Sequence, residues 1–489
     1  MEAITSATPA LAVLVSLVAA ALILLTGRHP NLRESVSVGA SLIKFAIVAS
    51  MMPTVLAGTL IEFKVVDILP NLPIMFRVDA FGMVFGLTAS FLWILTTLYS
   101  MGYMRSLEEH SQTRYYFCFA IALSSAMGIA FAANLVTLFI FYELLTVSTY
   151  PLVVHSETPE AMSAGRKYLL YLLTAGVFLL FSTIAVYFYT GTTDFAFGGI
   201  LEGHDIPVNI IRLLFITFMI GCTKAAFMPL HSWLPTAMIA PTPVSALLHA
   251  VAVVKAGVFT AVRIILYIFG VNLMQETGLA LAMAYFVSFT IITASIFALT
   301  QDNLKMRLAY STVSQLSYIV LGVCMLTPAG IVGGMYHIVN HALMKITLFF
   351  CAGAIFVATG KKNISDMGGV GKFMPITMLA FFIASMGMIG IPPSIGFLSK
   401  WFISLGAMEA HQAFFAFVMV ASGILNAAYF LPIVYTAFFN KPKEGEQFTE
   451  APMIMVVPLL ITALLTLTLG IAPQGVYTLL LHALQQVMP

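Results

Sequence analysis

Apolar runs about 20 residues long, separated by short polar stretches, recur along the whole 489-residue chain. A helix needs about 20 apolar residues to cross the hydrocarbon core of a bilayer, and only helices or closed barrels can span lipid. These runs are continuous, without the alternation over about ten residues that marks barrel strands, so they predict helices. The expected spans are 8–26, 35–60, 79–101, 114–132, 134–154, 164–190, 208–230, 244–269, 278–300, 308–327, 329–359, 375–403, 411–439 and 452–472, with a short amphipathic tail at 474–488. The predicted fold class is an all-α polytopic membrane protein of about 14 transmembrane helices embedded in the lipid bilayer.

Composition strengthens this picture. The chain is 60% hydrophobic and 9% charged, against about 25% charged in a soluble domain. A net charge of +2 implies no nucleic-acid partner. Cys118, Cys222, Cys324 and Cys351 lie far apart inside apolar runs, so they read as small buried residues, with no zinc ribbon or iron–sulfur site. No basic segment precedes the first run, which therefore reads as a retained anchor.

Charge placement predicts orientation. Of 22 Lys and Arg residues, thirteen lie in or beside one alternate set of loops: Arg28, Arg33, Arg105, Arg114, Arg166, Lys167, Lys305, Arg307, Lys361, Lys362, Lys372, Lys441 and Lys443. Only Lys64 and Arg77 fall in the other set. The positive-inside rule then puts both termini on the non-cytoplasmic side of an inner or cell membrane. The loops are too short to hide a soluble catalytic domain.

Two spans are interrupted by proline. The stretch 224–250 contains Pro229, Pro235, Pro241 and Pro243, and 387–402 contains Pro392 and Pro393. Proline removes a donor and disrupts the preceding turn, and in lipid the freed carbonyls need protein or water partners. Paired broken helices in two halves of a membrane protein point to an ion path. The spacing of the breaks fits an N-terminal three-helix segment (1–110), two five-helix units (111–270, helices 4–8, and 271–440, helices 9–13), and helix 14 with its tail (441–489). Because five is odd, consecutive five-helix units would be inverted repeats, with helices 7 and 12 broken.

Buried charge marks the candidate chemistry. A charged residue at mid-bilayer costs about 2.5–3.5 kcal/mol on insertion scales. Glu143 has no other charged residue between Arg114 and Glu157. Lys224 and Lys400 adjoin the breaks, Lys255 lies six residues after His249, and His337, His341 and Lys345 are spaced four apart on one helix face. Lys44 and Arg212 read as snorkelling anchors. Burial favours a neutral amine and a nearby carboxylate favours the ammonium, so a Glu–Lys pair that opens and closes can take up and release a proton. Histidine passes protons near neutral pH. The predicted relay is Glu143 with Lys224, then Lys255, then Lys345 with His337 and His341, then Lys400. HxxxH also suits a metal. Here Ile338 stands where a zincin carries glutamate, no third ligand is in view, and Lys345 would repel a cation, so no metal is expected. The polar run Ser311, Thr312, Ser314, Gln315 and Ser317 reads either as helix–helix hydrogen bonding or as the lining of a wet half-channel.

These motifs carry a resemblance. FYELL around Glu143, TKAAFMPLHSWLPTAMIAPTPVSALLHAVAVVKAGVF at 223–259, NLKMRLAYSTVSQLSY, HIVNHALMKITLFFCAG and GIPPSIGFLSKW resemble the antiporter-like membrane subunits shared by respiratory complex I, membrane-bound hydrogenases and Mrp-type sodium/proton antiporters. The resemblance covers roughly 75–440 and is nearest to an Mrp D-type subunit. It implies inverted five-helix repeats, broken helices 7 and 12, and a lateral proton path at mid-membrane. Glu143, Lys224, Lys255 and Lys400 would match the family's ionisable groups of helices 5, 7, 8 and 12, with His249, His337, His341 and Lys345 connecting them. The implied function is a proton-translocating subunit of a multi-subunit membrane complex, with other membrane subunits as partners and protons and sodium as candidate ions. The alternative is a stand-alone cation/proton antiporter. No flavin, quinone or cluster motif is present, so the chain is expected to hold no cofactor and no redox site of its own, serving at most as the pumping subunit of an NADH:quinone oxidoreductase- or hydrogenase-type translocase.

Overall fold

The computed structural model describes residues 2–69, 72–247, 251–442, 446–447 and 449–488. Helices occupy every interval that hydropathy marked. Helices 1 to 6 are Thr8–Leu25, Pro30–Leu56, Ala80–Ser106, Gln112–Ala130, Leu135–Val153 and Pro159–Thr190. Helix 7 begins as Val208–Gly221 and helix 8 includes Val253–Arg263. Helices 9 to 11 are Leu279–Leu299, Leu304–Cys324 and Pro328–Thr359. Helix 12 is split into Pro375–Ile389 and Ile395–Glu409, helices 13 and 14 are Ala413–Phe439 and Met453–Ile471, and a tail helix Gln474–Val487 follows. Among the described residues, nine helices are long and apolar enough to cross a membrane by length and composition.

Local chemistry sets the ends. Asp79, Asn134, Thr158, Asn303 and Thr327 each accept a hydrogen bond from a first-turn backbone N–H, satisfying donors that lipid could not. Helix 6 presents Leu170, Val177, Ile184 and Phe188 outward on one stripe, a surface suited to lipid. Helix 11, by contrast, is enclosed almost throughout: every residue from Ala329 to Ile355 is buried. It packs against helices 10, 12 and 14 and forms the axis of the second half.

Three features depart from the sequence reading. A three-stranded sheet joins the segment before helix 1 to the hairpin after helix 2: β1 (Ala3–Thr5) runs parallel to β2 (Leu60–Leu69), which pairs antiparallel with β3 (Leu72–Val78). The helical membrane class stands, with this small sheet as an addition to it. Irregular spacing hid the hairpin: register shifts interrupt the pairing at Lys64/Val66 and Asp67/Leu69, so no clean two-residue alternation exists. The Glu62–Arg77 ion pair joins the strands at 2.5 Å. Lys44 is no anchor. It is fully buried, donates to the Leu123 carbonyl at 3.0 Å and lies 4.8 Å from the Trp93 ring centre. Arg212 is exposed, as an anchor should be. Finally, helix 7 stops at Gly221, well before Pro229. A 3-10 turn Thr223–Ala225 follows, Ala226 is left-handed (φ 57°), and Pro235 lies within a separate short helix Trp233–Thr236. Pro229 cannot donate to a carbonyl one turn back, so the chain unwinds ahead of the proline.

Candidate functional site

The two breaks and the buried helix 11 organise the charged residues. Lys224 sits in the 3-10 turn that ends helix 7 and is fully buried. Its Nζ donates to the Tyr142 carbonyl (3.0 Å) and the Thr146 hydroxyl (2.7 Å), lies 3.4 Å from the Tyr142 ring centre, and stands 3.8 Å from Glu143 Oε1. All three partners are on helix 5. The Glu143 carboxylate turns toward helix 6, where a Cβ on Gly176 would come within 2.5 Å of Oε1. The small residue leaves the room that the carboxylate fills.

Lys255, on helix 8, is buried, and its Nζ lies 2.7 Å from His341 Nδ1 on helix 11. Helix 8 approaches the helix 7 break closely at Gly257, where a Cβ would collide with the Ala225 nitrogen and the Lys224 carbonyl carbon. Thus Gly257 lets the two lysine-bearing segments meet backbone to backbone.

Along helix 11, the His341 and His337 rings are 6.0 Å apart between centres. His337 Nδ1 lies 2.8 Å from Ser399 Oγ and its Nε2 lies 3.0 Å from Gln315 Oε1. Ser399 precedes Lys400, whose Nζ donates to the Met388 carbonyl (2.6 Å) and the Ile389 carbonyl (2.9 Å). These are carbonyls freed by the helix 12 break. Asn426 shares the Met388 carbonyl at 3.0 Å, and Lys400 Nζ lies 5.2 Å from the Tyr318 ring centre. The stripe from His337 to Lys345 does share one helix, but Lys345 turns aside to helix 10, donating to the Ser311 hydroxyl and to the Leu308 carbonyl at 3.2 Å. The order in space is therefore Lys255, His341, His337, Ser399 and Lys400, with Lys345 as a branch. His249 lies outside the described residues.

Pro392 and Pro393 fall in the gap between the halves of helix 12, as expected of breakers. Of the polar run in helix 10, Ser311 and Gln315 meet Lys345 and His337 directly. Tyr142, Thr146, Ser399 and Asn426 were not picked out from sequence. Only Ser399, beside Lys400 and after the double proline, carried a local signal. Arg263 is another addition. Fully enclosed at the end of helix 8, it binds both Asp79 oxygens, one through Nη2 at 2.6 Å and the other through Nη1, with the Phe81, Phe195, Phe259 and Tyr267 rings around it. It ties helix 8 to the start of helix 3.

At the basic-loop surface, His155 stands 3.6 Å from Glu109 and holds that carboxyl below the usual carboxylate range, against the opposing effect of partial burial. Arg114, bonded to Glu157, does the same for the Glu157 carboxyl.

Known proteins share both sequence and fold with this chain. Residues 132–425 match the family described as "NADH:quinone oxidoreductase/Mrp antiporter, TM". The chain is 31% identical over 416 residues to NADH-quinone oxidoreductase subunit N of Desulforudis audaxviator, with 82% of each chain covered. It is also 31% identical over 460 residues to a probable K(+)/H(+) antiporter subunit of Rhizobium meliloti, covering 90% of this chain but 44% of that longer relative. A chain of the Mrp complex from Dietzia superposes with a TM-score of 0.89 at 22% identity, covering 98% of this chain and 97% of that one, which shows the shared fold. A chain of an archaeal membrane-bound sulfane sulfur reductase superposes with a TM-score of 0.88 at 26% identity, covering 99% and 98%. The chain is a membrane protein and belongs to the NADH:quinone oxidoreductase/Mrp antiporter membrane family.

Proposed function

We propose that the chain is the proton-translocating, antiporter-like subunit of a multi-subunit membrane complex, and that Glu143, Lys224, Lys255, His341, His337 and Lys400 carry protons laterally between the breaks of helices 7 and 12. The observation that supports this best is the run of buried polar contacts from Lys255 through His341 and His337 to Ser399, beside Lys400. Each member is enclosed by apolar helices, where an unneeded charge would be costly. The Glu143–Lys224 distance of 3.8 Å suits a pair that closes when both are charged and opens when the proton leaves. Steps longer than a hydrogen bond require intervening water. His249 belongs to this proposal by sequence alone.

Assignment as an Mrp D-type subunit, fourteen membrane crossings arranged as inverted repeats in helices 4–8 and 9–13, and termini on the non-cytoplasmic side are part of the same reading. The thirteen-to-two charge bias supports the orientation. Partnership with other membrane subunits is supported by similarity to chains of two membrane complexes and predicts that mild-detergent purification brings several membrane proteins along. The relay is tested with the intact complex in liposomes loaded with a pH-sensitive dye. His341→Ala and Lys255→Ala should each slow proton flux by roughly 100-fold, the scale of a lost positioned proton carrier. Unchanged flux in both would sink the relay.

A further inference from the structure

A second cluster of titratable side chains lies away from the relay, on the face that carries the basic loops. Glu109 and His110 belong to the turn 107–111 between helices 3 and 4, and His155 to the turn 154–158 between helices 5 and 6. One ligand atom from each lies within 4.8 Å of the others. Glu109 Oε2 is 3.6 Å from His155 Nε2, and the His110 and His155 ring centres are 4.8 Å apart. His155 is fully buried; among the described residues its Nδ1 has no hydrogen-bond partner, and its Nε2 faces only the Glu109 carboxylate, at 3.6 Å. Buried polar groups are normally satisfied, so this ring, aimed at Glu109, points to a missing ligand.

We propose that Glu109, His110 and His155 bind a divalent transition cation of the zinc class. Two imidazoles and one carboxylate form a nitrogen-rich set that suits such an ion and not calcium or magnesium, which take oxygen ligands. Bonds of about 2.0–2.1 Å in a tetrahedron place neighbouring ligand atoms about 3.3 Å apart. The Glu109–His155 pair is already near that spacing, and His110 is exposed and can swing inward. The fourth position is open to water. Of the nearby cations, Arg114 is paired with Glu157 and donates to the His155 carbonyl oxygen at 3.1 Å, holding the backbone and leaving the ring free to coordinate. Lys305 donates to the Ala240 carbonyl at 2.6 Å. The ion would clamp two turns together beside a cavity of about 650 Å³ whose wall includes Glu109, Ser156, Lys305, Lys361 and Lys362.

The test uses the full chain in its native complex, stripped with a chelator and titrated with zinc chloride. Metal content after dialysis and zinc affinity are measured for the wild type, His110→Ala, the Glu109→Gln/His110→Ala double variant and the His337→Ala variant. The double variant alters residues at a loop surface, so it should fold even where His155→Ala does not. One zinc per chain fewer in the double variant, wild-type content in His337→Ala, and an affinity weakened about tenfold or more in His110→Ala are expected. X-ray absorption should show a first shell of nitrogen and oxygen with imidazole scattering. Equal zinc content and affinity in the wild type and the double variant would overturn the site. The readout is metal bound and not protons moved, so it stands or falls separately from the relay.

Discussion

The two broken helices hold their lysines in opposite ways. In the first half, Lys224 reaches across to another helix, where it meets a carbonyl, a hydroxyl and the Glu143 carboxylate. In the second half, Lys400 turns back on its own broken helix and binds the two carbonyls that the break exposes. One lysine faces a group that can gain or lose charge, while the other faces fixed dipoles. A carboxylate can alter how strongly an ammonium is held, but a carbonyl cannot change its charge. On the proposed relay, the first break would serve switching, and the second would receive and pass on a proton at constant bias.

Removing the switching partner should have the largest effect. Glu143→Gln keeps the shape but loses the charge, and should lower proton flux in the reconstituted complex by roughly 100-fold. If Glu143→Gln and a Lys400→Met variant gave equal, small losses, the contrast between the halves would be broken. Gly257→Ala comes next. Its Cβ would collide with backbone at the Lys224 turn, and overpacking of this kind costs about 1–3 kcal/mol. Thermal unfolding in detergent should show the loss, with flux falling alongside it. Asn426→Ala removes one donor from the Met388 carbonyl that Lys400 also uses. A net hydrogen bond is worth about 1 kcal/mol, so a small stability loss is expected, with flux reduced only a few-fold. A result larger than that of Glu143→Gln would reverse the ranking of the two breaks.

The smallest effect is expected outside the membrane. Arg114 lowers the Glu157 carboxyl from its ordinary range, mainly through a direct hydrogen bond. A depressed carboxyl contributes stability above its unfolded value and loses it as pH falls through the folded one. Glu157→Gln should therefore match the wild type in acid melts below that window and differ only slightly at neutral pH, because exposed pairs are screened. The Glu143–Lys224 pair is less screened, because Lys224 is fully buried and the Glu143 side chain is only 21% exposed.

The difference between the halves was only partly legible beforehand. Both lysines and both proline clusters stand out in the sequence, since charge and proline are rare inside apolar runs. The position of the first break does not. Pro229 marks the region, but the helix ends at Gly221 and puts Lys224 in a turn. Glu143 was found because no other charge lies near it, whereas Thr146 and Tyr142, which also hold Lys224, look like ordinary helix residues. Lys44 misled for a related reason: it lies in the middle of the helix Pro30–Leu56, and sequence alone does not say whether such a lysine snorkels or is enclosed by neighbouring helices.

Hydropathy alone determined that this is a helical membrane protein and which intervals carry helices, though not where helix 7 ends, because the cost of exposing backbone in lipid leaves few alternatives. Sequence also marked the helix 11 stripe, since four-residue spacing puts His337, His341 and Lys345 on one face. Tertiary structure decided what each stripe residue touches. It sent Lys345 to helix 10, joined His341 to Lys255 and His337 to Ser399, and gathered Glu109, His110 and His155 from two loops. Such pairings depend on how helices far apart in sequence pack, and the periodicity of one helix carries no information about its neighbour.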